Sequence, residues 1–365
     1  MIEVDFLPAS QTQSGDCILL RLGAFSYDLR QRNNQTVIMI DSGFSGCSDD
    51  IKRHLSKYYR TSRIDYVFIT HPDADHISGL NKLLDDTSID IGRVLIHDPW
   101  NHVNSVFSRT QDGRRTRKSI EGNFEETLTV LDQIFEKIEK RSIPTQEAFA
   151  GGTLRFGEYE LTILGPSRGY YEGLLTHFPG MDNEKRMCGA SIYEEEIDWR
   201  VVDKFFLKNP DTSPKNNTSM IILISRNMSY FNGLFDKKEP LFLFTGDAGM
   251  EALWKALSFA AEHKILVMGC KYMQLPHHGS LKNVNAALFG FVNAEEYMVS
   301  ASSVDLEHPS RLLVNYIRGI LGKPLYHIND STMMQFGFGC PSRPGWGCAI
   351  PKPMFSKVFK LKGGV

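Results

Sequence analysis

The residues best suited to chemistry form a short cluster, THPDADHISGL, at positions 70–80. It holds His71, Asp73, Asp75 and His76, four potential metal ligands within six residues. In extended backbone, His71, Asp73 and Asp75 project to one side, because side chains alternate along a strand. His76 begins a helical pattern and can turn toward the same point. Imidazole and carboxylate ligands together suit Zn²⁺, Mn²⁺ or Fe, so the cluster predicts a site for one or two divalent metal ions, Zn²⁺ or Mn²⁺ above all.

The segments on either side of this cluster predict that it lies at the carboxyl end of a strand. The preceding run, IDYVFIT, reads as a buried strand, and the following ISGLNKLL has helical spacing. Strand-like and helical segments alternate along most of the chain, as in a layered α/β protein. The predicted strands cover 36–41, 64–70, 93–98, 219–225, 241–247, 272–278, 296–302 and 324–330, and the predicted helices about 48–59, 77–84, 250–257, 285–291 and 310–321.

Two stretches interrupt this alternation and are interpreted as insertions. Segment 99–145 contains a basic run, Arg109–Lys118, and then an amphipathic helix for which Asn123 and Glu126 predict an N-terminal capping box. Segment 167–214 is irregular and rich in Gly, Pro and charge. No clear linker separates two halves, so we predict one domain over all 365 residues with these two insertions. We expect the first insertion to border the site and to control substrate access.

Composition narrows the classes of protein. The 41 Lys plus Arg and 43 Asp plus Glu give a net charge of −2, which excludes a general electrostatic affinity for nucleic acid or anionic membranes. No apolar run approaches the roughly 20 residues of a membrane span. The six cysteines are scattered without a C-x-x-C pair, which argues against a zinc ribbon or a disulfide scaffold. We therefore expect a cytoplasmic protein with no membrane partner.

The cluster and several later motifs together resemble the metallo-β-lactamase fold hydrolases. H-x-D-x-D-H-x-x-G-L, which begins at His71, is similar to their H-x-H-x-D-H signature. The other motifs follow in the family's order and are Asp41-Ser42-Gly43, Thr245-Gly246-Asp247, LPHHGS at 275–280 and EHPS at 307–310. The resemblance implies a four-layer αββα sandwich, in which two sheets lie between helices and loops at one edge hold one or two metals.

Finer details are similar to the hydrolase domain of ComEC-type DNA-internalisation proteins. The opening FLPASQTQSGDCILLRL matches theirs, with Asp16 at the position of their early Asp. Asn216–Ser219, followed by MIILIS, resembles their N-x-x-S strand, and the paired His277 and His278 and the later His308 are also theirs. Unlike full-length ComEC, this sequence has no predicted membrane span. The resemblance implies a phosphodiester substrate such as DNA, another nucleic acid or a nucleotide.

Residue chemistry and the resemblance together assign roles to the candidate site residues. The predicted metal ligands are His71, Asp73, Asp75, His76, Asp247 and His277. The predicted catalytic residues are Asp75, Asp247, His278 and His308, with Asp247 bridging metals and a late histidine protonating the leaving group. Asp16, Asp41, Asn217 and Ser280 are predicted to fix the geometry of the ligands.

The sequence departs from the family pattern at two places. Asp73 stands where most members have the second histidine, and the third histidine motif has no clear match, although His177 and Asn217 lie in that interval. The site is therefore richer in oxygen, which favours a harder ion such as Mn²⁺ or leaves one metal position weak. The leading hypothesis is a metal-dependent hydrolase that acts as a phosphodiesterase or nuclease. The alternatives are a hydrolase of a non-phosphate ester, thioester, lactone or lactam, a degenerate binding or regulatory module, and a diiron redox protein.

Overall fold

The computed structural model describes residues 1–10, 12–24, 34–110, 115–181, 210–230, 235–302, 304–305, 307–328 and 334–338. Its strands are β1 Ile2–Phe6, β2 Cys17–Ala24, β3 Asn34–Ser42, β4 Arg63–Ile64, β5 Tyr66–Phe68, β6 Asp90–Ile91, β7 Val94–Leu95, β8 Thr145–Gln146, β9 Thr153–Phe156, β10 Tyr159–Gly165, β11 Ile221–Tyr230, β12 Phe235–Phe244, β13 Tyr272–Gln274, β14 Glu296–Ser300, β15 Leu325–Ile328 and β16 Met334–Phe338. Its α-helices are α1 Cys47–His54, α2 Ala74–Leu83, α3 Val103–Arg109, α4 Arg117–Thr127, α5 Thr129–Lys140, α6 Arg168–Leu175, α7 Met250–Glu262, α8 Ala286–Val292 and α9 Arg311–Asn315.

Two seven-stranded sheets form the body of the fold. The first has the order β16-β1-β2-β3-β5-β7-β8, and the second has the order β15-β14-β13-β12-β11-β10-β9. Each sheet is antiparallel on one side and parallel on the other, with β3, β5, β7 and β8 parallel in the first and β12 to β15 parallel in the second. A separate two-stranded sheet pairs β4 with β6.

The apolar side chains separate into three layers, which define the architecture. Residues from both sheets, such as Phe6, Ile40 and Phe242, form one buried cluster between the sheets. The outer face of the first sheet is covered by α1, α2, α4 and α5, and the outer face of the second by α7, α8 and α9. Each sheet therefore buries both faces, as its continuous apolar strands require. This arrangement confirms the predicted αββα sandwich.

The helix in the first predicted insertion begins earlier than its sequence pattern suggests. Thr116 caps α4, because its Oγ1 accepts a hydrogen bond from Ser119 N at 3.1 Å and Ser119 Oγ reciprocates toward the Thr116 backbone. The capping box predicted at Asn123 is wrong, since Asn123 lies inside α4 and its side chain donates to Pro179 O at 3.0 Å. The helix breaks at Leu128, and α5 continues from Thr129.

The second predicted insertion is only partly described, because residues 182–209 lie outside the described ranges. Its described start forms α6, which Ser167 caps by accepting a hydrogen bond from Tyr170 N. Across the described ranges, no helix is long and apolar enough to cross a membrane.

Candidate metal centre

The site lies where parallel strands of both sheets end. Asp41 is the penultimate residue of β3, and His71 follows β5. From the second sheet, Asp247 follows β12 and the two histidines His277 and His278 follow β13. Loops at the carboxyl ends of parallel strands meet at one edge of a sheet, where ligands of α/β proteins commonly bind. The backbone joins the two edges directly, since Met220 N donates to Thr70 O at 3.0 Å.

Two glycines allow the loops to approach this closely. A Cβ added to Gly79 in α2 would lie 2.0 Å from Ser42 O, so only glycine lets this helix pack against the end of β3. Gly246 has φ of +49°, and a Cβ there would lie 2.9 Å from Thr70 Oγ1. Gly79 therefore lets the motif helix approach β3, and Gly246 lets the Thr-Gly-Asp loop of the second sheet approach Thr70 of the first.

Asp247 is at the centre of the site, with two histidines near each carboxylate oxygen. His76 Nε2 and His278 Nε2 lie 3.4 Å and 3.9 Å from Asp247 Oδ1. His71 Nε2 and His277 Nε2 lie 3.7 Å and 3.8 Å from Asp247 Oδ2. We call these the Oδ1 side and the Oδ2 side of the site. The side chains of His71 and His76 are fully buried.

Every one of these four histidines has an oxygen partner at its other ring nitrogen. His76 Nδ1 lies 2.8 Å from Asp41 Oδ2, and His278 Nδ1 lies 3.0 Å from Ser300 O. His71 Nδ1 lies 3.1 Å from Thr70 Oγ1, and His277 Nδ1 lies 3.2 Å from a carboxylate oxygen of Asp211. A proton on Nδ1 suits each of these partners, and Nε2 is then the nitrogen that can bind a cation once any proton on it has been lost. The four Nε2 atoms that face Asp247 are thus prepared as metal ligands.

The Oδ1 side holds a group of four potential metal ligands. Asp75 Oδ2 lies 3.5 Å from His76 Nε2 and 3.2 Å from His278 Nε2. One ligand atom from each of Asp75, His76, Asp247 and His278 lies within 4.8 Å of all the others. Two carboxylates and two imidazoles in this arrangement match the donors that Zn²⁺ and Mn²⁺ accept.

Unsatisfied polar atoms show that these residues fit a cation. His71 Nε2, His76 Nε2 and Asp247 Oδ1 are buried and have no hydrogen-bond partner among the described residues. A buried polar atom without a partner normally costs about 1–3 kcal/mol, and such atoms are rare in native proteins. All three point to the same small region around Asp247. A divalent cation there would satisfy lone pairs that the protein itself leaves unused.

The charges of the site are strongly coupled. Burial opposes a charged imidazole, but the Asp247 and Asp75 carboxylates raise the pKa of His278 to about 9. Burial likewise disfavours the ionised form of Asp247, yet His76, His277 and His278 lower the pKa of this carboxyl well below its usual value. Without a cation, protons on the imidazoles therefore balance the carboxylates. A bound divalent cation would take over that role.

Asp41 and Asp16, both predicted to fix the geometry of the ligands, lie behind His76. Asp41 accepts hydrogen bonds from Thr70 N and Thr70 Oγ1 as well as from His76 Nδ1. Asp16 Oδ2 accepts from Gln274 Nε2 at 2.7 Å and lies 4.0 Å from His76 Nδ1. Burial raises the pKa of Asp16 to about 6. Asp41, Asp16 and His76 form a second, fully buried group of potential ligands.

Asp73 lies farther from the centre than the other residues of its motif. Asp73 is the N-cap residue of α2, but its side chain makes no capping hydrogen bond. One carboxylate oxygen lies 3.7 Å from His71 Nε2, and the other lies 3.3 Å from Lys215 Nζ. Asp73, the motif residue that departs from the family pattern, is thus paired with Lys215, which the sequence analysis did not single out.

The remaining predicted residues occupy the rim or the supporting loops. His308 stacks on His277 with ring centroids 5.5 Å apart, and its Nδ1 lies 3.3 Å from Asp305 Oδ2. Ser280 Oγ accepts from Lys282 N, and its backbone N donates to His277 O. Asn217 donates to Ser213 O at 2.9 Å and makes no described hydrogen bond to a predicted ligand.

The sequence analysis missed several supporting residues, among them Asp211, Asn283, Ser219 and Thr70. Asp211 and Asn283 both contact His277 Nδ1, and Asn283 Nδ2 also donates to Asp211 Oδ2 and Asp247 O. Ser219 Oγ accepts from Asp247 N at 3.1 Å, and Thr70 links His71 to Asp41. Ser219 and Thr70 carried a signal, because each lies in a quoted motif. Asp211 lies in an irregular segment, where nothing in the sequence distinguishes it from a solvated acid.

The basic run in the first predicted insertion is largely engaged within the protein. Arg109 pairs with Glu172 at 3.1 Å, Arg117 donates to Asn104 Oδ1 at 2.5 Å, and Arg115 donates to backbone oxygens at 180–181. Residues 111–114 lie outside the described ranges. The described arginines therefore brace the helices of this segment.

Comparisons with known proteins bear on the fold. The sequence profile described as the Metallo-beta-lactamase superfamily matches residues 22–165. Among solved structures, the metallo-beta-lactamase fold protein YhfI from Bacillus subtilis is similar at 8% identity and a TM-score of 0.42, with 91% of this chain and 99% of that chain covered. A diphosphatase of the PhnP family is similar at 9% identity and a TM-score of 0.39, covering 93% and 98%. CmlA, a diiron β-hydroxylase from Streptomyces venezuelae, is similar at 12% identity and a TM-score of 0.43, covering 92% and 54%.

No curated protein sequence matches the chain. The profile match covers β3, β5 and the H-x-D-x-D-H-x-x-G-L motif, and the described layers form the αββα sandwich of the same superfamily. Residues 22–165 therefore match the metallo-β-lactamase superfamily in sequence, and the chain has the metallo-β-lactamase fold.

Proposed function

We propose that the whole chain is a metal-dependent hydrolase of the metallo-β-lactamase superfamily and that it cleaves phosphodiester bonds. One observation carries the proposal. The Nε2 atoms of four histidines surround a buried carboxylate, Asp247, and each Nδ1 is held by an oxygen partner. A degenerate binding module has no reason to retain this arrangement of histidines, because unused ligands leave buried polar atoms unsatisfied.

A divalent ion held by Asp75, His76, Asp247 and His278 would supply a water of lowered pKa and electrostatic stabilisation of the negative charge that develops on the substrate. Asp247 binds and orients groups at the centre, because its two oxygens face different pairs of histidines. Asp41 keeps the proton of His76 on Nδ1. Together these residues would hold the ion in one position.

His308 is the proposed proton donor to the leaving oxygen. Its side chain is 21% exposed at the rim, and its Nδ1 is held by Asp305, which itself accepts from Ser14 Oγ. Nε2 is thus left to face a substrate, and a protonated imidazole would deliver its proton from that nitrogen. His278 is less suited to this role, since its Nε2 points to Asp75 and Asp247.

The preference for phosphodiesters, in a nuclease or a nucleotide phosphodiesterase, rests on the resemblance of the opening segment and of the late histidine motifs to ComEC-type domains. The net charge of −2 gives no broad cationic surface for long nucleic acid, which favours a short oligonucleotide or a nucleotide as substrate. The same centre could cleave lactones or thioesters, so these belong in the test.

The test is hydrolysis of bis(p-nitrophenyl) phosphate, a short single-stranded DNA, a cyclic dinucleotide, a thioester and a lactone, each with Mn²⁺ or Zn²⁺. We expect phosphodiester cleavage by the wild type and its loss in Asp247→Asn. Asp65→Asn is the matched control, because Asp65 also accepts a backbone hydrogen bond, from Val37 N, but lies outside the site. Cleavage of only the thioester or lactone would refute the proposed substrate class. If the metal-loaded protein cleaves none of these substrates, the proposed hydrolase activity is refuted.

A further inference from the structure

We propose that Lys215 supplies the second positive charge of this site, so that the chain binds one divalent ion, on the Oδ1 side, and not two. The inference rests on the proposed function, because it concerns the same centre. It adds a residue that lies outside the ligand motifs, and it specifies how the departure at Asp73 is compensated.

The two sides of Asp247 are unequal as metal sites. On the Oδ1 side, Asp75, His76 and His278 complete a four-residue group with Asp247. On the Oδ2 side, His71 and His277 approach the carboxylate oxygen. In the described ranges, however, no third ligand atom joins Asp247 and either histidine within 4.8 Å on that side. A dication there would lack the coordination that the first position has.

Lys215 stands where the missing charge is needed. Its Nζ lies 3.3 Å from Asp73 Oδ1, while Asp73 Oδ2 lies 3.7 Å from His71 Nε2. Asp73 is free to make this contact because its side chain does not cap α2. The ammonium thus reaches the same corner of the site as His71.

The backbone that carries Lys215 is firmly held. Lys215 O accepts hydrogen bonds from Thr218 N at 2.9 Å and from Thr218 Oγ1 at 2.6 Å. Asn217 N donates to Ser213 O at 3.1 Å, which fixes the same short turn. The Lys215 side chain is only 21% exposed. The ammonium is therefore held near the site, unlike that of a mobile surface lysine.

Two consequences follow from this placement. The ammonium already compensates the Asp73 carboxylate, and it would repel a divalent ion that entered beside His71. An ammonium also offers three donors, which suit a non-bridging phosphate oxygen. Lys215 would therefore bind the substrate's phosphate from the side opposite the single ion. In a site with two metals, the second metal would bind the phosphate at this position.

The experiment counts bound Mn²⁺ by calorimetric titration and by metal analysis after gel filtration. We expect one ion per wild-type chain, one in Lys215→Arg and two in Lys215→Met. The second ion in Lys215→Met should bind at least about tenfold more tightly than any second binding event in the wild type. Lys52→Met is the control, because Lys52 is also a partly exposed lysine, at 33%, that pairs with a carboxylate. Lys52 lies in α1, and its partner is Asp86 at 3.2 Å. The Lys52→Met protein should bind one ion.

Two equivalent ions in the wild type would overturn the inference. One ion in both the wild type and Lys215→Met would also overturn it, since Lys215 would then not exclude the second. Phosphodiester hydrolysis alongside either result would leave the proposed function standing. Absence of any bound ion in the wild type would refute both proposals together.

Discussion

Replacing Asp41 with Asn tests whether the prepared tautomers control metal binding. Asp41 Oδ1 accepts from Thr70 N at 2.8 Å, and Oδ2 accepts from His76 Nδ1 at 2.8 Å and Thr70 Oγ1 at 2.6 Å. An Asn amide has one acceptor and one donor end, so either orientation places N–H groups against donors. If the oxygen stays with Thr70 N, His76 must carry its proton on Nε2, the atom that faces Asp247. The backbone should tolerate the change, since Asp41 has φ of 54° and Asn accepts that region well.

We expect Asp41→Asn to weaken Mn²⁺ binding about 10–100-fold, or roughly 1.4–2.7 kcal/mol, as for other groups that orient a histidine ligand. Titration calorimetry measures the affinity, and thermal unfolding of the ion-free protein shows that the fold is retained. Asp65→Asn serves as the control, because its Oδ2 accepts from Val37 N away from the site. Unchanged affinity in a folded Asp41→Asn protein would refute the idea that the Asp41–His76 hydrogen bond prepares the site.

Three further predictions concern the centre itself. Asp247→Asn should lower phosphodiester hydrolysis at least about 100-fold, because the group that faces all four histidines loses its charge. Full activity by the same colorimetric assay would contradict this role. Since the carboxylates around it raise the pKa of His278 to about 9 despite its burial, a proton must leave His278 before a cation binds. Mn²⁺ affinity should therefore increase from pH 7 to about pH 9 and then level off, with proton release measured by calorimetry in buffers of different ionisation enthalpy; a flat profile would be inconsistent. His308→Ala should retain its bound metal while kcat falls about 10²–10⁴-fold, as expected for a proton donor at the rim. Loss of the metal together with activity would instead make His308 a ligand.

The centre could be predicted from the sequence where chemistry coincides with a strand end. Asp41, His71 and Asp247 each follow an apolar run, and parallel strands bring such positions to one edge. The layered α/β class followed from the alternation of strands and helices, whereas the four-layer αββα order came from the resemblance to the metallo-β-lactamase fold hydrolases. The strand-end positions and the layered class required only local sequence patterns and the rule that parallel strands end at the same edge of a sheet.

The parts that could not be predicted depend on contacts between distant segments. His277 and His278 are adjacent in sequence, yet they face opposite sides of Asp247 because their backbones take φ of 49° and 52°. Nothing in the letters HH indicates that conformation. Lys215 and Asp73 lie in different segments, and their ion pair depends on how two loops meet.

The unsatisfied atoms of the centre give the strongest reason to regard it as a binding site and not as part of the core. His71 Nε2, His76 Nε2 and Asp247 Oδ1 are buried without a hydrogen-bond partner in the described structure, and each such atom costs about 1–3 kcal/mol. Apolar side chains at these positions would avoid that cost, as the buried side chains of Phe68 and Ile69 just before His71 do. Residues of both sheets meet at this point, and a cation on the Oδ1 side would satisfy His76 Nε2 and Asp247 Oδ1. Binding would thus also strengthen the contact between the two halves of the sandwich.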